Sequence, residues 1–481
     1  MKKRLIALLL LLAAMAALPA LAGERAMSDK EKQELVGAVG KVLAFFESDL
    51  GLKARAPVEL EFTTQEKILA QSREEAAKQE AESREANQAH ELLLKKLGLV
   101  PRDFSIEQWE TESHPRLILA YYSPEKKKLY LLETLARGQR EPVLVHELMH
   151  AVEDQHFSIE EYMRGGSEAE AKAANRSEDG HRPTFDDGAF ARKAVIEGHA
   201  MYATVQYLWS KSSRYATFGM SSRQEFIRQA ESAFPSMSKE NKELVKKTPL
   251  YLSASAEFPY WTGGFEFVTG LSRSGGPKLA YNEPIARPPT SAREIMMPEN
   301  YLKKEPVPQM DLPKLGALLG EEHKLLWIET AGQLDVALMA EQFAGKGKAG
   351  GLAPKWRGGR WYLFTTKGES KGLTTKDVEL VYVSQWQKKD AAEDFAEVYA
   401  KAVGKKYPGA GAAARDGNRR VWQTEEGTVS VEFAGERVLV LESFDGASAE
   451  KLRGALLTRP LSGDRGSSTR RGNGSPAPRS E

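Results

Sequence analysis

The segment "EPVLVHELMHAVEDQHF", Glu141 to Phe157, constrains the chain more than any other. It sets His146, Glu147 and His150 among Val143, Leu144, Val145, Leu148, Met149 and Val152, so a helix here is apolar nearly all round. Such a helix is buried, and ionisable side chains buried with it are costly unless they bind something or one another. Residues four apart project about 40° apart around a helix, so the two imidazoles share a face. With Glu147 beside the first, HExxH supplies two corners of a zinc tetrahedron and a carboxylate placed to polarise a water. Any fold for this chain must hold that helix in its interior and bring a third ligand to it.

Two residues compete for that place. His156 stands six after His150, the spacing of HExxHxxGxxH, but Glu153 occupies the glycine position that lets such a chain turn back. On a continuous helix His156 points about 120° away from His150 and lies about 9 Å along the axis. The other candidate is Glu197 in "DDGAFARKAVIEGHAMYATVQYL". Phe190, Ala194, Glu197, Met201, Thr204 and Leu208 form one helical stripe there. A carboxylate inside an apolar stripe needs a metal or a buried partner, and Glu197 is the expected third ligand. His199 is about 200° round the same helix and is expected to face elsewhere.

Two histidines with a distal glutamate are a gluzincin ligand set, and "HELMHAVED" resembles the thermolysin helix, including Asp154 four after the second histidine. Thermolysin-like enzymes carry the ligand glutamate in an ExxxD pattern, whereas Met201 stands four after Glu197 here. The carboxylate orienting His146 is therefore sought at Asp154, Asp186 or Asp187. More widely, "HELMHAVEDQHF", "AVIEGHA", "LGLVPRDFSIEQW", "YYSPEKKKLYLL" and "FPYWTGGFEFVTGLSRSGG" followed by "PPTSAREIMMPENYL" resemble a family of secreted bacterial metallopeptidase-like proteins. "KWRGGRWYLF" extends the likeness, although those relatives tend to have Gly-Trp-x-Gly-Asp-Arg there. His199 replaces their usual acidic residue and Met297 a frequent histidine, which touches no ligand but puts any shared proton relay in doubt.

The rest of the chain frames this site. "MKKRLIALLLLLAAMAALPALAGE" reads as an export signal cut after Ala22, giving a periplasmic or extracellular protein with no membrane-spanning segment after removal of residues 1–22. There is no cysteine, which excludes disulfides and thiolate metal sites. Removing Lys2, Lys3 and Arg4 changes 68 basic against 67 acidic residues to 65 against 67, so nothing suggests a nucleic-acid partner. Asp29 to Ser48 and Thr64 to Leu97 read as helices, "VELEF" as a strand, and Leu117 to Leu132 as a hairpin directly before the HExxH helix. Residues 165–188 read as a surface loop and Ser222 to Val245 as helical. Prolines mark a border near Met310. Beyond it, Leu315 to Phe343 reads as helical. Strands follow at Trp361 to Thr366, Val378 to Ser384, Val421 to Thr424, Thr428 to Phe433 and Val438 to Ser443, with helices at Asp390 to Val403 and Ala447 to Leu457. The tail 460–481 is expected to be disordered.

The expectation is thus an α+β protein: a mostly helical zincin-like domain with a small β-hairpin or sheet at 23–310, and a smaller α+β accessory domain at 311–459. It is read as a zinc metallopeptidase acting on a peptide or protein, with Zn2+ on His146, His150 and Glu197 and with Glu147 as general base. Asp154, His199 and Tyr260, with Tyr202, are candidates for supporting or oxyanion roles. Two alternatives stay open: a zinc hydrolase of a non-peptide amide, and a non-catalytic envelope-associated binding protein with a structural metal.

Overall fold

Ser28 and Glu31 cap each other at the start of the first helix: Glu31 N–H donates to Ser28 Oγ at 3.4 Å and Ser28 N–H to Glu31 Oε2 at 2.8 Å. From this cap runs α1 (Asp29–Phe45), burying Leu35, Val42 and Phe45. β1 (Glu59–Thr63) follows, then α2 (Gln65–Ala77) and α3 (Ala81–Leu97). Thr64 to Leu97 is therefore two helices rather than one, with the break at Lys78–Gln79. The structure is a computed structural model and describes residues 25–79, 81–165, 187–211, 239–368 and 372–457. The segment expected to be an export signal, most of the expected 165–188 loop, Ser222 to Ser238 and the expected disordered tail lie outside the described residues.

β2 (Ala120–Ser123) and β3 (Lys128–Leu132) form the expected hairpin, closed through Lys127 at φ +57°. β1 adds parallel to β3, giving the order β1-β3-β2 with β2 at an edge. The chain then enters α4 (Arg137–His156), buried from Pro142 through Asp154. α5 (Asp187–Ser210) packs on α4, and α6 (Glu266–Ala286), kinked at Gly275–Gly276, packs on α5. Among the described residues no helix is long and apolar enough to cross a membrane.

A seven-stranded antiparallel sheet follows: β4 (Lys324–Thr330), β5 (Trp356–Thr365), β6 (Glu379–Trp386), β7 (Ala414–Asp416), β8 (Arg419–Thr424), β9 (Gly427–Ala434) and β10 (Arg437–Glu442), in the order β4-β5-β6-β10-β9-β8-β7. Leu315 to Phe343 is not one helix. A short turn of helix at Leu315–Leu319 ends at Gly320 (φ +86°), β4 follows, and α7 (Gln333–Ala344) begins only after it. "KLLWIET" is a short apolar run, and periodicity cannot separate a buried strand from a helix over so few residues.

The sheet's strands β5, β6 and β10 are buried on both faces, and the alternation of side chains divides their contacts. Trp361, Leu363, Leu380, Tyr382, Val438 and Val440 turn to the side of α7 and α8 (Lys389–Lys406), while Tyr362, Phe364, Val381, Val383, Leu439 and Leu441 turn to α9 (Gly446–Leu457). The first of these cores continues without a break into Leu97, Val143 and Leu148, so residues on both sides of Met310 share one interior. Lys96 on α3 crosses it: its fully buried ammonium donates to Thr375 O at 2.8 Å, Glu426 Oε2 at 3.0 Å and Ser443 Oγ at 2.8 Å.

Candidate metal centre

Two buried helices bring the site together, and a glycine contact sets their surroundings. A Cβ on Gly198 would lie 2.4 Å from the Gly264 carbonyl, and one on Gly264 would lie 1.8 Å from the Pro259 oxygen and 2.3 Å from that of Ala194. No larger residue lets the Trp261–Phe265 turn approach α5 so closely. That turn presses on α5 beside Glu197, and Tyr260, just before it, stacks on the His146 ring with centroids 6.0 Å apart.

His146, His150 and Glu197 form a triangle: His146 Nε2 to Glu197 Oε2 is 3.2 Å, His150 Nε2 to His146 Nε2 is 3.2 Å, and His150 Nε2 to Glu197 Oε2 is 3.4 Å. A tetrahedron with bonds of about 2.0–2.1 Å to a central ion has edges of about 3.3–3.4 Å, so the three atoms stand as ligands of one small cation stand. Among the described residues this is the one group of His, Asp and Glu side chains able to hold a metal ion. Glu197 is held well below the usual carboxylate range: burial opposes ionisation, but hydrogen bonds with His146 and His150 outweigh it. Burial lowers His146, with Glu197 opposing; at His150 burial also acts to lower, but Glu153 and Glu197 prevail and raise it. The centre is built around a buried negative charge, which favours a cation.

Glu147 is fully buried, and among the described residues its carboxylate has no side-chain hydrogen-bond partner, while the Tyr122 backbone lies against it. Burial pushes its carboxyl up to about 8, with His150 opposing and Glu197 adding. A cation in the triangle acts against that rise. A buried acid that no side chain claims, beside three potential ligands, is chemically able to exchange a proton.

The supporting groups differ from those expected. Asp154 does not orient His146. Its Oδ2 accepts from Tyr122 Oη at 2.8 Å and Lys127 Nζ at 2.6 Å, and its Oδ1 from Ile159 N–H at 3.1 Å, so it ties the hairpin to α4 and caps the helix after it. Asp187 is likewise engaged elsewhere, bonding Ser291 Oγ at 2.5 Å and Ala292 N–H at 2.9 Å, and Asp186 lies outside the described residues. His146 Nδ1 has no partner among the described residues.

Glu153, which fills the missing-glycine position, faces His150 Nδ1 at 3.8 Å and contacts His199 Nδ1 at 2.6 Å, while His199 Nε2 meets the Ala280 carbonyl at 2.9 Å. His199 therefore backs the support of His150 and does not reach the open side of the triangle. Tyr202 Oη pairs with Ser272 Oγ at 2.6 Å, away from the ligands. His156 ends α4 with Nε2 2.8 Å from the Lys53 carbonyl oxygen.

Sequence reasoning passed over Glu153 and also Lys193, a buried lysine one turn before Glu197. The signal was present in both cases. Glu153 is three after His150, and Lys193 four before Glu197, so each shares a helix face with a ligand. Glu153→Gln is expected to weaken metal binding about 10–100-fold by loosening His150. Chelator competition measures this, and an unchanged affinity removes Glu153 from the site.

The fold and centre together define a two-histidine, one-carboxylate candidate metal protein with a large accompanying antiparallel sheet. Residues 329–453 match the model of a family described as a domain of unknown function (DUF8575). The match covers most of the seven-stranded sheet and includes none of His146, Glu147, His150 and Glu197. No curated protein and no solved structure matches the chain.

Proposed function

We propose that the protein is a zinc metallopeptidase. The observation that carries this reading is the juxtaposition of the His146–His150–Glu197 triangle with the buried Glu147 carboxylate, which has no side-chain partner among the described residues. Two imidazoles and one carboxylate suit zinc and leave a tetrahedral position open. Zinc held there supplies Lewis-acid chemistry, lowering the pKa of a water and polarising the scissile carbonyl.

The chain's own groups do the rest. Glu147 takes a proton from the attacking water and hands it to the leaving amine nitrogen, a role open to a carboxylate that no side chain claims among the described residues. β2 is an edge strand, and the Tyr122 backbone lies against Glu147, so an extended peptide pairing along that edge brings its main chain to the general base. Glu153 and His199 hold His150 in orientation, and Tyr260 covers the His146 ring. A purely structural centre has no use for the unpartnered Glu147, which favours catalysis over the binding-protein alternative.

The test is elemental analysis of purified protein with mass-spectrometric cleavage of a peptide library, before and after chelation. One zinc per chain and chelator-sensitive cleavage are expected. Cleavage that survives complete metal removal overturns the reading.

A further inference from the structure

Lys193 sits on α5, one turn before Glu197, about 6 Å along the axis and on nearly the same face. It is 5% exposed, and its ammonium makes no hydrogen bond or ion pair among the described residues. The charged and titratable groups that act on it are Glu197 from its own helix and Glu110 and His114 from the segment before the hairpin. None of the three touches it. Burial accordingly lowers the lysine to about 8 and the same cause raises Glu110 to about 7.

A lysine side chain buried to this extent, with no partner for its ammonium among the described residues, is costly. A cation in the neighbouring triangle takes up the charge of Glu197, which leaves Lys193 with still less compensation. The simplest completion is an anion brought from outside, next to the ligands. A residue of extended peptide spans about 3.3–3.6 Å, so this position falls one to two residues from a bond cleaved at the centre. Resting on the peptidase reading, we propose that Lys193 receives a carboxylate of the substrate, either the chain-terminal α-carboxylate or an acidic side chain. The enzyme then selects peptides by that charge.

Two measurements on the mature-length protein test this. In the first, wild type and Lys193→Met are given three pools of acetyl-capped tetrapeptides: free acids lacking Asp and Glu, the corresponding C-terminal amides, and amides containing Asp and Glu. Wild type is expected to cut the first or third pool about 10–100-fold faster than the uncharged amides, and whichever is favoured identifies the source of the carboxylate. Lys193→Met is expected to cut all three at rates equal to one another. Equal rates on all pools in wild type, or a preference retained in the variant, overturns the proposal.

The second measurement does not depend on hydrolysis. Butyrate is expected to raise the melting temperature of metal-free wild type, butyramide to leave it unchanged, and neither to affect Lys193→Met. If no pool is cut, the peptidase reading fails by itself and this arm decides Lys193: a butyrate effect equal in both proteins, or absent from wild type, overturns the anion site. Methionine matches the four-atom stem of lysine without the terminal ammonium and removes a buried charge, so the variant is expected to fold; Lys193→Gln serves as a second neutral variant.

Discussion

Glu147→Gln is expected to reduce peptide hydrolysis about 10²–10⁴-fold while leaving metal content, melting temperature and overall structure close to those of the wild type. The size follows from the role, since a positioned general base contributes about 10²–10⁴-fold. The selectivity follows from the geometry: Glu147 is absent from the triangle, its carboxylate has no side-chain partner among the described residues, and the amide oxygen can still accept from the Tyr122 backbone. Gln keeps the volume of a fully buried side chain, so the packing of α4 has no reason to change. Parallel measurement of kcat/KM, bound zinc and thermal unfolding checks all three. A variant that hydrolyses at the wild-type rate removes Glu147 from the mechanism, and one that loses its metal makes it a ligand.

The second large effect separates the two candidates for third ligand. Glu197→Ala is expected to lose its metal under mild chelation, with a fall in affinity well beyond the 10–100-fold typical of outer groups, whereas His156→Ala retains near-stoichiometric metal. Glu197 Oε2 closes two sides of the triangle at 3.2 and 3.4 Å. His156 is at the end of α4, engaged with the Lys53 carbonyl at 2.8 Å, and its replacement costs only about 1 kcal/mol of stability. Elemental analysis after dialysis against a weak chelator reads both variants. Zinc lost from His156→Ala and kept by Glu197→Ala reverses the assignment.

Much of this centre was legible because polar residues stood where helical periodicity demanded apolar ones. His146, His150 and Glu197 each interrupt a buried stripe, and the structure puts all three ligand atoms together. The absence of a helix break at Glu153 likewise separated His156 from the site. Proximity between elements distant in sequence was not legible. Nothing in "AVIEGHA" says that His199 meets Glu153 across the α4–α5 contact, or that Asp154 is claimed by Tyr122 and Lys127 of the hairpin. The same limit hid the parallel pairing of β1 with β3, which fixes β2 as the edge. β4 escaped for a local reason: its seven residues sit between two helical stretches, and only Gly320 marks the change.

The buried ammonium of Lys96 has a consequence for the order in which the molecule can be built. Its partners Thr375, Glu426 and Ser443 follow it by 279, 330 and 347 residues, and Glu426 and Ser443 flank the last two strands of the sheet. Until those strands exist, α3 has a charged group facing an interior that offers it no counterion, and its end cannot settle against the rest of the core. Closing loops of that length is entropically demanding and favours slow folding. The helices that carry the ligands share that core, so a nascent chain reaches its metal-binding geometry only after nearly all of it has been synthesised. Metal capture would then arrive late, when the whole chain is present to enclose the site.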